Sequence, residues 1–224
     1  VLALKNIYSG NINMKKFLTA LMLLVAATAM ADTPQNGAEF SQTVQAIPTE
    51  NPSKIEVTEL FWYGCPHCYV LEPQLAAWVK TLPKDVTFKR IPGLPRPDWA
   101  PMAKAFYVME SLGLSEKLHS KLFDALHKQK AFLPNDEKAT IDWMTKESGL
   151  DRKKVEAEFN SFSLNTKLNH AAQVFRASGA TGVPTLIIDG RYITSVTMAG
   201  GNQEVLNVAN YIIDNVRKDK AGRK

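Results

Sequence analysis

The sequence predicts an α/β fold interrupted by an all-helical insertion. Three patterns lead there: strand-like segments over residues 54–63 and 85–91, helical periodicity over residues 98–177, and a hairpin signal after it. Residues 54–63 are rich in β-branched and aromatic side chains, among them Ile55, Val57, Phe61 and Trp62. That strand runs into Cys65-Pro66-His67-Cys68, which opens a helix, and residues 69–82 keep helical character. Pro73 inside this pattern predicts a kink or a restart, because it lacks the N–H a helix interior uses. A second strand over residues 85–91 is closed by Pro92-Gly93 and the further prolines Pro95 and Pro97.

Along the helical stretch, Met102, Phe106 and Met109 recur at helical spacing, as do Leu118, Leu122, Phe123 and Leu126. Ile141 with Met144, then Val155, Phe159 and Phe162, continue the stripe, and breaks at Gly113, Pro134 and Gly149 divide it into four or five helices. Such stripes are core packing rather than a cofactor box. Sheet character returns at Pro184: residues 185–188, the dipeptide Asp189-Gly190 and residues 191–194 predict a two-residue hairpin, since Asp-Gly readily supplies positive φ angles. An amphipathic helix carrying Val205, Val208, Ile212 and Val216 ends the chain. Without the helical stretch the order is β-α-β followed by β-β-α, the layout of a thioredoxin fold. The domain reading is therefore one α/β unit: residues 32–97 its first part, 98–177 the inserted helical subdomain and 178–224 its second part.

Residues 1–31 read as a leader. Met14-Lys15-Lys16 is a short positive region, residues 17–29 are apolar without a charge, and Ala29-Met30-Ala31 has the small-x-small pattern of a signal-peptidase site. A membrane anchor needs roughly 20 apolar residues, more than this stretch offers. Residues 1–13 read as an upstream extension, with Met14 the natural start. The leader carries Lys5, Lys15 and Lys16 and no acid, so its removal leaves 24 basic against 22 acidic residues, a net charge of +2 rather than +5. That near-balance gives no basis for nucleic-acid binding, and the basic tail over residues 217–224 is a solvated terminus.

Two cysteines in 224 residues are no disulfide scaffold, so their spacing needs a local account. Zinc usually takes four ligands, and only His119, His127 and His170 remain besides His67. These three fall in helical segments, as surface or internally satisfied histidines. An inert disulfide closing so short a loop constrains the unfolded chain weakly. A redox dithiol suits the strand-to-helix setting best. If Cys65 caps the helix, its sulfur faces unpaired N–H groups and the positive end of the macrodipole, both of which favour the thiolate. His67, when protonated, adds positive charge, and Pro66 suits the first turn because it has no N–H to leave unpaired. Stabilising the reduced form raises the reduction potential, which favours an oxidase over a reductase. Cys68, inside the helix and expected to be buried, is the resolving thiol.

Glu59 falls on the strand face of Ile55, Val57 and Phe61. Burial there would raise its pKa and suit it to proton exchange with Cys68, although it fits equally a charge paired with Lys89 or Arg90. Trp62 and Tyr63 fit either an apolar rim around Cys65 or the core.

Residues 59–69, Glu-Leu-Phe-Trp-Tyr-Gly-Cys-Pro-His-Cys-Tyr, closely resemble the active-site segment of the DsbA family of periplasmic dithiol oxidases. Residues 181–185, Thr-Gly-Val-Pro-Thr, resemble that family's second active-site loop, and the likeness spans nearly all the mature chain. The resemblance implies a cis Val183–Pro184 peptide beside the cysteines, where spacing alone allows a strand-edge proline. It supports a proton-handling role for Glu59. It further implies a monomeric periplasmic enzyme without a bound cofactor, acting on exported proteins with reduced cysteines and reoxidised by a DsbB-type quinone-linked membrane protein. The rivals are a disulfide isomerase or reductase, or a chaperone-like binding protein without redox turnover. Isomerases resembling DsbC carry an amino-terminal dimerisation domain, and only about 23 residues separate Asp32 from the first strand.

Overall fold

A computed structural model describes residues 33–222 of the chain; the expected leader, residues 1–31, lies outside the described residues. Among the described residues five strands, β1 (Ser41–Gln42), β2 (Ile55–Phe61), β3 (Val86–Pro92), β4 (Thr185–Ile188) and β5 (Tyr192–Ser195), form one sheet in the order β1-β5-β4-β2-β3. Parallel pairing of β2 with β3 follows from the helix that crosses between them, while β4 and β5 add antiparallel on the other side of β2. The register sets Arg90 of β3 opposite Glu59 of β2, with Leu186 of β4 on its other flank.

Eight α-helices are found among the described residues: α1 (Pro66–Val79), α2 (Ala100–Ser111), α3 (Ser115–His127), α4 (Glu137–Ser148), α5 (Arg152–Phe159), α6 (Phe162–Ser178), α7 (Val196–Ala199) and α8 (Asn202–Gly222). Helices α2 to α6 lie between β3 and β4 in the chain, after a single 3-10 turn at Pro97–Trp99. Their boundaries have local causes. Asp136 accepts from the Ala139 N–H to start α4, Gly149 ends it in the left-handed region at φ 75°, and Asp151 accepts from the Lys153 N–H to start α5.

Alternation along β4 sends its side chains to two separate cores. Leu186 and Ile188 join Ile55 and Val57 against Leu71, Leu75 and Trp78 of α1 and Val205, Val208, Ile212 and Val216 of α8. Ile187 faces the other way, into a core with Phe61, Tyr63 and Cys68 and the inner faces of α2 to α6, among them Met102, Phe106, Leu122, Phe123, Met144 and Phe159. The methionine and aromatic stripes are thus packing. Leu75 is fully buried between sheet and α8, so Leu75→Ala should cost about 2–5 kcal/mol of stability. Urea unfolding checks this, with a lowered midpoint at an unchanged slope expected.

Four details differ from the sequence expectations. Helix α1 runs unbroken through Pro73, whose face is exposed, so solvent can reach the backbone that the missing N–H leaves unbonded. Phe162 is 87% exposed, because the chain breaks at Asn160 and restarts at Ser161, which rotates it off the Phe159 stripe. Asp189 and Gly190 do take positive φ, 53° and 65°, but Ile188 pairs with Tyr192, so Arg191 is one residue more than a two-residue loop contains. The fourth is β1, a two-residue edge strand on β5 that no periodicity announced. The segment after it crosses Gly190 closely: the Ile47 N–H donates to the Gly190 carbonyl at 2.9 Å, and a Cβ on Gly190 would collide with the Ile47 carbonyl.

Candidate active site

The cysteine motif sits where β2 hands over to α1. Cys65 is the helix N-cap with extended backbone (φ −88°, ψ 118°), and Pro66 occupies the first helical position, where no N–H is needed. Gly64 is required by crowding: a Cβ there would fall on the Trp62 indole, which stacks on Trp99 with centroids 4.2 Å apart. Pro66 and His67 are exposed, Cys65 is 9% exposed and Cys68 1%; both thiols are free. One cysteine therefore meets the surface while the other lies beneath it.

The two thiols are electrostatically unlike. Cys65 is lowered to about 6, first by the hydrogen bond from the Cys68 thiol and then by the backbone N–H groups of Cys68 and His67, with the charge of His67 after them. The N-terminal N–H groups act as the helix start requires, and the exposed imidazole contributes less because solvent screens it. Cys68 is pushed well above the ordinary thiol value, chiefly by burial.

Across from Cys65 lies the loop that enters β4. Val183–Pro184 is a cis peptide, and the Cys65 Sγ–H donates to the Val183 carbonyl at 3.4 Å. The Thr185 hydroxyl donates to the Gly182 carbonyl at 2.8 Å and closes that loop on itself. Val183 also packs toward Gly93 and Phe175, so β3 and α6 back the loop.

Beneath the cysteines runs a chain of charged groups. Glu59 is 1% exposed and accepts from Arg90 Nε at 2.9 Å, one of the two cross-strand partners, Lys89 and Arg90, that the sequence offered. Burial pushes its carboxyl up to about 7, against the pull of Arg90. The Arg90 Nη2 group also donates to both oxygens of Glu72, at 2.9 and 3.1 Å. Burial works against the Glu72 carboxylate, but His119 and Arg90 hold it below the ordinary value. His119 Nε2 lies 3.4 Å from Glu72 Oε1, and its Nδ1 is 2.6 Å from the Tyr63 hydroxyl.

Tyr63 is core rather than rim, 1% exposed among Phe61, Phe123 and His119. Its backbone carbonyl accepts from His127 Nε2 at 2.7 Å, and that imidazole stacks on Tyr69 at 5.0 Å. The Tyr69 hydroxyl in turn donates to Asp124 at 2.8 Å. Helix α3 thus grips Tyr63, two residues before the motif, and Tyr69, the residue after it. The sequence reading did not assign Glu72, His119 and His127 to the site. Glu72 carried a signal, since it lies one turn after Cys68 on the face of Leu71 and Leu75; the two histidines carried none, because their partners are 56 and 64 residues away.

A surface thiolate, a buried thiol and a proton-holding carboxylate are the parts that thiol–disulfide exchange needs. The DSBA-like thioredoxin domain family matches residues 83–213. The chain is 36% identical over 205 residues to the thiol:disulfide interchange protein DsbA of Pseudomonas aeruginosa, covering 92% of this chain and 95% of that protein. It is 37% identical over 213 residues to the protein of that name from Burkholderia cepacia, covering 92% and 100%. The crystal structure of Pseudomonas aeruginosa DsbA superimposes with a TM-score of 0.76 at 36% identity, over 87% of this chain and 99% of that one.

Proposed function

The chain belongs to the DsbA family of thiol:disulfide oxidoreductases, and from that membership we propose that it is a periplasmic dithiol oxidase donating the Cys65–Cys68 disulfide to newly exported proteins. The observation that carries the direction is the inequality of the two thiols. A Cys65 thiol lowered to about 6 stabilises the reduced enzyme at pH 7 by about 1.4 kcal/mol over an unperturbed one, or roughly 30 mV toward a stronger oxidant.

A substrate thiolate attacks Cys65 Sγ of the disulfide. The Cys65–Cys68 bond breaks, a Cys65–substrate bond forms, and Cys68 leaves as a thiolate. Buried and poorly solvated, Cys68 takes a proton from Glu59, which is held near neutrality for that purpose. A second substrate thiolate then attacks the substrate sulfur of the mixed disulfide and expels Cys65 as its stabilised thiolate. The substrate leaves with a new disulfide, and the enzyme keeps two electrons. Pro66 and His67 shape the approach to Cys65, and the backbone of Val183 before Pro184 offers hydrogen bonds to an extended substrate strand.

The disulfide itself carries the electrons, so the reaction calls for no bound cofactor. Reoxidation falls to a quinone-linked membrane protein of the DsbB type, and the enzyme works as a monomer exported by the segment over residues 1–31.

Equilibration with glutathione buffers tests the direction. The expected result is an enzyme that stays largely reduced in buffers that leave a strongly reducing dithiol oxidised, read from thiol alkylation and mass. An enzyme that remains oxidised in those buffers is a reductase, and the oxidase reading fails.

A further inference from the structure

Glu59 and Glu72 share one guanidinium. Arg90 gives Glu59 one hydrogen bond and Glu72 two, and all three side chains are largely buried, with side-chain exposures of 1%, 11% and 21% for Glu59, Glu72 and Arg90. With both carboxylates ionised, this desolvated group carries one uncompensated negative charge beneath Cys68. Holding one proton between the two carboxyls removes it, as in any close pair of acids. The partner of Glu72 on its other side is His119 of α3.

We propose that His119 is a positioning residue that decides which carboxyl holds the shared proton, reserving it for Glu59 below the cysteines. The imidazole is hydrogen-bonded at one nitrogen and faces a carboxylate with the other. Nδ1 meets the Tyr63 hydroxyl at 2.6 Å, and Nε2 faces Glu72 Oε1 at 3.4 Å. Among the described residues Nε2 has no hydrogen bond of good geometry, so the Glu72 carboxylate is the acceptor it addresses. The consistent tautomer has the Tyr63 O–H donating to Nδ1 and the proton on Nε2, directed at Glu72. That N–H favours the Glu72 carboxylate over its acid form. Ionised Glu72 then claims two of the three Arg90 hydrogen bonds, and Glu59, deeper and more weakly paired, is left as the acid.

Among the surrounding charges, Arg90 pulls both carboxyls down and so does not by itself single out Glu72. Glu59 is faced by Arg90 from β3, by Glu72, Cys65 and Cys68 from α1, and by Tyr63 after β2. His119 is enclosed by the rings of Phe61, Tyr63 and Phe123, with Glu72 and Arg90 its charged neighbours. Lys80, Lys89, Glu110 and Glu116 line a groove of about 530 Å³ that reaches Arg90 and His119. These rim groups are two of each sign, and the groove gives solvent a way to return a proton to the cluster.

This inference rests on the proton-donor role proposed for Glu59, and its test reads carboxyl titration rather than disulfide transfer, so the two can fail separately. Carbon-13 NMR of the glutamate-labelled reduced protein, assigned with Glu59→Gln and Glu72→Gln, follows each carboxyl. In the wild type, Glu59 should titrate at about 7 and Glu72 below the ordinary carboxyl value. In His119→Phe the midpoints should draw together, Glu59 falling and Glu72 rising. His119→Gln, whose amide N–H can still point at Glu72, should restore most of the separation. Unchanged midpoints in His119→Phe overturn the proposal. Nitrogen-15 shifts of the wild-type imidazole add a measurement free of any folding defect: a proton on Nε2 supports it, and a proton on Nδ1 with a bare Nε2 overturns it.

Discussion

Cys65→Ala should abolish disulfide transfer completely while leaving the protein folded. The loss is total because the reaction passes through one sulfur: Cys65 is the 9% exposed member of the pair, and Cys68 at 1% cannot be reached by a substrate thiolate. The substitution has a second consequence in the reduced protein. Cys65 has a folded pKa of about 6, below the unperturbed 9.0, so its stabilising contribution is fully present above pH 9 and is lost as pH falls through 6. Between those limits the reduced wild type should gain on Cys65→Ala by about 1.4 kcal/mol per pH unit, reaching about 4 kcal/mol at pH 9. Urea unfolding of both reduced proteins from pH 5 to pH 9 measures that difference. A difference independent of pH contradicts a stabilised thiolate, and any residual transfer by Cys65→Ala contradicts the assignment of the attacked sulfur.

Cys68→Ala should have the opposite signature, an accumulation of covalent complexes. The remaining Cys65 thiolate attacks a disulfide of a client protein, forming a Cys65–client bond and releasing one client thiolate. In the wild type, Cys68 lies one helical turn away and breaks that bond at once; alanine has no sulfur with which to do so. Non-reducing electrophoresis of cell extracts should show Cys65 in a ladder of higher-mass species that collapses on reduction. Recovery of many exported clients marks a general oxidase and recovery of one marks a dedicated enzyme, while no reducible complex at all contradicts the mixed-disulfide mechanism.

The parts of this molecule that were legible in the sequence are those governed by short-range rules. Strand β2, helix α1 and the hairpin are written in local periodicity and in Asp189-Gly190, and four or five helices of the insertion in stripes that are buried except at Phe162. The cysteine pair was legible because Cys65 and Cys68 are close neighbours in the chain, at the cap and in the first turn of one helix. Glu59 was legible as a carboxylate on a core face, and the neighbouring strand offered Lys89 or Arg90 as its partner, of which the register selects Arg90. What escaped depends on distance in the chain or on a broken pattern. Nothing local tells His119 that Tyr63 and Glu72 wait 56 and 47 residues earlier. Phe162 kept the helical spacing of Phe159 on paper, but the new cap at Ser161 resets the phase. Strand β1 is too short to carry a period of two at all.

His127 holds the Tyr63 carbonyl and lies flat on Tyr69, so the end of α3 brackets the four-residue motif from outside the sheet. This couples the inserted helices directly to the cysteine turn. A chimera that grafts a relative's helical segment onto this sheet brings foreign residues to both sides of Cys65 without touching the motif. The thiol chemistry of this enzyme therefore cannot be transplanted as four residues.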